Sequence, residues 1–101
     1  MITCHIKYKI DPNKVAEFET YAKMWIPLVN KFGGNHHGYY LPHEGKNYEA
    51  IALFSFPSLA AYEVYREKVK DDPDFKVAND HKEKTGCTLR VERQFMRPVF
   101  E

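Results

Sequence analysis

The sequence predicts an α+β domain in the ferredoxin-like order βαββαβ, an antiparallel four-stranded sheet with its helices on one face. Three observations carry that expectation. The chain opens on a strict two-residue alternation, passes into a long three- and four-residue periodicity closed by Gly33-Gly34, and ends on a second alternating run from Cys87 to Arg97. Between them lie a glycine-bearing hairpin connection and two proline-marked helix starts. With 101 residues, 44% of them apolar, the chain suffices for one domain, 1–101, around a single modest core.

The first strand places Ile2, Cys4, Ile6, Tyr8 and Ile10 on one face and Thr3, His5, Lys7 and Lys9 on the other. Asp11-Pro12 then reads as an N-cap with proline at the first helical position. Val15, Phe18, Tyr21, Ala22, Trp25, Leu28, Val29 and Phe32 form the apolar stripe of the first helix, in which Trp25 reads as a core residue and Pro27 as a kink or an end to regular bonding. Gly33-Gly34 stops it. A strand near residues 35–42 meets another near 47–56 through Pro42-His43-Glu44-Gly45-Lys46, a hairpin. Ser58 caps a second helix through Leu59, Tyr62, Tyr65, Arg66 and Val69. Asp72-Pro73 opens a short third helix that ends at Gly86. In the last strand Leu89, Val91, Arg93 and Phe95 alternate with Thr88, Arg90, Glu92 and Gln94.

Composition narrows the partners. Fifteen Lys and Arg against fourteen Asp and Glu leave a near-neutral surface with no basic stripe, which argues against nucleic acid. No apolar run approaches the roughly 20 residues of a membrane helix, and nothing at the start resembles a signal peptide. Cys4 and Cys87 lack metal-ligand spacing and fall at opposite ends of neighbouring antiparallel strands, so two free thiols in a reduced, cytoplasmic setting are expected.

Helices cover one face of such a sheet and leave the other to be explained. The hairpin strands carry Tyr39, Tyr40, Leu41, Tyr48, Ile51, Leu53 and Phe54, with large apolar groups on both faces, which suggests packing against the same sheet of a second copy. Trp25-Ile26-Pro27-Leu28-Val29, Phe32-Gly33-Gly34, Gly38-Tyr39-Tyr40, Leu53 to Tyr62, Tyr65-Arg66 and Arg93 to Pro98 together resemble the NIPSNAP family, within the wider superfamily of dimeric α+β barrels. The resemblance covers nearly the whole chain. It implies a homodimer whose sheets close a barrel around a small cavity. Related barrels include cofactor-free monooxygenases, lactone isomerases, polyketide cyclases and haem-using enzymes, while the NIPSNAP branch has no settled reaction. That step from fold to function is analogy.

The candidate cavity-lining residues are His5, His36, His37, Tyr40, Arg90 and Glu92. His36 and His37, as strand neighbours, point to opposite faces and cannot serve one metal or one base. His5, Arg90, Glu92 and Gln94 are placed to meet across the first and last strands, where His beside a carboxylate suits general-base work and Arg suits an oxyanion. The plainer reading is a charged cross-strand ladder, with Lys7 opposite Glu92. Tyr40 can orient a substrate or simply pack. His43 and His81 read as solvated. No metal motif and no phosphate loop stands out, and no cofactor is expected. The sequence therefore points to a small-molecule-binding homodimer, possible as a cofactor-independent enzyme, with its site between the sheets. The alternative is a non-catalytic interaction module without an enclosed pocket. Haem use would need a histidine aimed into a large apolar cavity.

Overall fold

A computed structural model describes residues 1–100. The elements follow the order β1 (Ile2–Ile10), α1 (Val15–Lys31), β2 (Asn35–Tyr40), β3 (Glu49–Phe56), α2 (Leu59–Val69), α3 (Pro73–Thr85) and β4 (Thr88–Met96). The strands form one antiparallel sheet in the spatial order β2-β3-β1-β4, the ferredoxin-like arrangement with a third helix added before the last strand.

The register assigns every strand residue to a layer. Cys4, Ile6, Tyr8 and Ile10 of β1 lie beside Ala50, Ala52, Phe54 and Phe56 of β3, and all eight are buried. They meet Phe18, Tyr21, Ala22, Leu28 and Val29 of α1 and Tyr62, Tyr65 and Val69 of α2. This is the core, one sheet face against two helices. Thr3, His5, Lys7 and Lys9 face the other way, beside Ser55, Leu53, Ile51 and Glu49 on β3 and Gln94, Glu92 and Arg90 on β4. No element of the described chain covers that open face. The outermost strand, β4, is exposed along almost its whole length, and Val91, Phe95 and Met96 keep 40–44% of their surface.

Several starts and stops differ from expectation for identifiable reasons. Helix α1 begins at Val15 rather than just after Asp11. Asp11 instead closes a turn: its Oδ1 accepts from the Asn13 N–H at 2.9 Å and its carbonyl from the Lys14 N–H at 2.9 Å. The helix then continues through Pro27 to Lys31. Gly34 is required by contact, since a β-carbon there would lie 2.6 Å from Val29 Cγ1 and 2.7 Å from Phe56 Cζ. Ser58 caps α2 as expected, accepting from the Ala61 N–H at 3.1 Å. Asp72 caps α3 through the Asp74 N–H and binds Lys31 of α1, which holds the Asp72 carboxyl below its usual range. His81, expected in solvent, meets the Glu17 carbonyl at 2.8 Å and ties α3 to α1. Cys4 and Cys87 are both free and buried.

Candidate functional site: an aromatic cavity beneath the helices

Between the sheet and the helix layer lies a cavity of about 210 Å³. Ile6 and Tyr8 of β1, Tyr39 of β2 and Phe54 of β3 supply its floor. Tyr21, Trp25 and Val29 line one wall from α1, at the three- and four-residue spacing that aligns side chains on one helix face. Tyr62, Tyr65 and Val69 line the other from α2, and Phe75 closes the α3 end. The rings brace one another: Tyr8 and Tyr39 stack at 6.0 Å, Tyr21 meets Trp25 edge-on at 6.3 Å, and Trp25 meets Phe75 at 5.7 Å and 88°.

The polar groups of this cavity form an unusual set. Five of the chain's seven tyrosines reach it, together with Arg66, Lys70 and Arg93. No Asp, Glu or His is among its lining residues. The three cations are exposed and make no ion pair with any described residue, so they sit at the mouth rather than in the floor. Arg66 lies over the Tyr62 ring at 5.9 Å. Trp25 Nε1 is buried without a hydrogen-bond partner. Burial pushes the Tyr21 phenol up to about 12, with the neighbouring indole of Trp25 and the Arg93 guanidinium pulling the other way. Burial likewise raises Tyr8, Tyr39 and Tyr65 well above the ordinary phenol range. These hydroxyls stay neutral at physiological pH, with those of Tyr8 and Tyr39 engaging each other. The cavity can thus bind, orient and offset negative charge. Its own side chains include no general base matched to neutral pH.

The six residues singled out by sequence lie elsewhere. Five face the open side of the sheet. His5 sits between Leu53 and Gln94, and Tyr40 beside Ile51 at the far edge. His37 occupies a bulge made possible by Gly38 at φ 107°, and its Nε2 lies 2.7 Å from Ser55 Oγ, which in turn lies 2.7 Å from Thr3 Oγ1. Arg90 and Glu92 pair with each other at 3.2 Å and line a shallower hollow of about 180 Å³ with Lys7, Lys9, Lys46, Tyr48 and Glu49. Lys7 is registered opposite Glu92 but its ammonium goes to Glu49 at 3.2 Å. Of the expected ladder, the Lys7–Glu92 pair is not formed; Arg90–Glu92 lies within β4, and Lys7–Glu49 joins β1 to β3.

His36 points the other way, into the helix layer, stacked on Tyr39 at 5.0 Å and 16°. Its Nδ1 accepts from the Gly38 N–H at 2.9 Å, so the ring hydrogen is on Nε2, which is buried and unpartnered. Burial, with a smaller effect of His37, lowers its pKa to about 4. Neither histidine lines the cavity, and the haem reading therefore finds no ligand there. Trp25, taken from sequence as core, is the wall residue that reasoning missed. The only available signal was the clustering of Tyr21, Trp25, Tyr62, Tyr65 and Arg66 on two helix stripes, a pattern equally expected of packing.

A ferredoxin-like domain with one sheet face bare and an aromatic hollow under its helices defines the class, an α+β protein with a four-stranded antiparallel sheet. Within that class the assignment is direct: a model of the NIPSNAP family matches residues 5–100, and the chain belongs to that family. No curated protein matches it at a significant level. Solved structures agree on the fold. A NIPSNAP family protein of unknown function from Agrobacterium tumefaciens superposes with a TM-score of 0.83 at 17% identity, over 98% of this chain and 88% of that one. A NIPSNAP domain protein from Burkholderia xenovorans gives 0.79 at 17%, over 98% and 95%. A candidate antibiotic biosynthesis monooxygenase from Nitrosomonas europaea gives 0.74 at 7%, over 99% and 100%.

Proposed function

We propose that this NIPSNAP protein is a cytoplasmic homodimer, each subunit of which holds a small organic molecule in the cavity between sheet and helices. The observation that carries the reading is the cavity's polar set: five tyrosines and three cations without an ion-pair partner among the described residues, around an aromatic interior. Packing alone does not call for three cations around one apolar space with no carboxylate among its lining residues. An interaction module without a pocket accounts for none of them.

The dimer is supported by the open sheet face, where Leu53 and Ile51 lie among His5, Lys7, Tyr40 and the Arg90–Glu92 pair, and by the unpaired, apolar edge of β4. In that assembly His5, His37, Tyr40, Arg90 and Glu92 belong to the space between the sheets, while His36 belongs to the helix layer of each subunit. Two buried free thiols suit a reducing compartment. The lining offers charge stabilisation and hydrogen-bond donors, with no carboxylate or histidine in it.

A thermal-shift screen of small organic compounds tests the reading, with Val69→Phe as control, since the added ring enters the cavity from α2. Stabilisation of the native chain should follow mass action, about 2.7 kcal/mol at a hundredfold excess over Kd, and should vanish in the filled variant. Hits that stabilise both chains equally would place the ligand elsewhere.

A further inference from the structure

The cavity also constrains the chemistry of its occupant, an inference that rests on the reading just given. Its interior is flat aromatic surface on several sides: Trp25 and Phe75 meet edge to face, and Phe54 and Tyr62 are near-parallel at 18°. Such walls favour a planar π-body over a branched or saturated one. Its volume, near 210 Å³, falls below the roughly 300–1,000 Å³ of drug-sized sites, which restricts the guest to one or two fused rings.

The phenols of the lining both donate and accept, but its charged groups are one-sided. Guanidinium and ammonium groups donate and never accept. Arg66, Lys70 and Arg93 line the space with no carboxylate opposing them. A ligand that satisfies them must be rich in acceptors and negatively charged. Arg93 is the member nearest the floor in register: it pairs with Ile6 of β1, itself a lining residue, and so lies on the helix-facing side of the sheet. It is also the lining cation carried by the sheet, on β4, whereas Arg66 and Lys70 lie on or directly after α2. A planar guanidinium fork at the rim of an aromatic slot matches a carboxylate or an equivalent paired-oxygen anion attached to a ring.

We propose that the cavity selects a mono- or bicyclic aromatic acid, its ring between the tyrosine and tryptophan walls and its anionic head on Arg93.

Isothermal titration calorimetry with three probes of one shape tests this: 2-naphthoate, 2-naphthamide and 2-naphthylmethylammonium. The native protein should bind the naphthoate about tenfold or more tightly than the amide, and the ammonium least. Arg93→Ala should abolish the preference by weakening the acid alone, and Arg93→Lys should restore part of it. Circular dichroism verifies that each variant is folded, and Arg66→Ala carries the same test from α2. Equal binding of acid and amide overturns the anion selectivity while leaving the cavity reading intact, as does preference for the ammonium. Failure of all three probes to bind overturns both.

Discussion

At the scale of single residues, the tightest constraint is at Gly34, where Val29 Cγ1 and Phe56 Cζ stand 2.6 and 2.7 Å from the position a β-carbon would take. Both neighbours are buried, so neither can give way cheaply. Gly34→Ala should cost about 1–3 kcal/mol in a urea titration; a change near zero would show that the layer repacks. His36 makes a pH-dependent contribution whose sign follows from its depressed pKa. The unfolded chain takes up a proton near 6.5, the folded one only near 4, so between those values the unfolded state binds more protons. Stability is complete above about pH 6.5 and falls as pH drops towards about 4. His36→Phe should flatten that part of the stability–pH curve, and an unchanged slope would assign it to other groups. Residue identity told much about role where the backbone dictates it, at Gly34 and Ser58. It told little about which ring lines a void, because Trp25 satisfies the same helical period whether it fills the core or borders a cavity.

At the scale of elements, side-chain capping divides the helices. Helix α2 depends on Ser58, and Ser58→Ala should destabilise the chain by about 1 kcal/mol, with Ser58→Gly costing only a few tenths, as measured by equilibrium unfolding. Equal losses for both would point to something other than the cap. Helix α1 has no side-chain cap and is entered through the Asp11 turn. The alternating strands, the Gly33-Gly34 stop and the Asp72-Pro73 start were all legible, because each rests on interactions within a few residues. The start of α1 was not, since Asp-Pro serves a turn as readily as a helix and Asn13 decides between them by donating to Asp11. Nor was the docking of α3 on α1: His81 reaches Glu17 across 64 residues, and no local pattern encodes that. The two histidines of β2 do split between faces, as strand geometry requires. The bulge at His37, and the Ser55 hydroxyl that receives it, depend on the register with β3.

For the whole molecule, the sheet order follows from the element order and from the face each strand buries, which is why the fold could be read without coordinates. The position of the cavity could not, because it is the residual space left where α1, α2 and the sheet fail to close. The open face and the edge of β4 lead to a second expectation at this scale. Leu53→Lys places a charge at the centre of the bare sheet, and it should convert a dimer to a monomer in sedimentation velocity while leaving the circular dichroism spectrum intact. A native chain that sediments as a monomer at every concentration would remove the dimer from the account. The central claim is that ligands enter beneath the helices and not across the open sheet. Trp25 is the sole tryptophan of the chain and lines the cavity, so its indole N–H gives one resolved probe of that space in a nitrogen–proton correlation spectrum. Titration with a bound aromatic acid should move that resonance saturably, with the largest backbone shifts on α1 and α2. A stationary indole signal, with shifts confined to Lys7, Lys9, Arg90 and Glu92, would place the ligand on the other face and contradict the account.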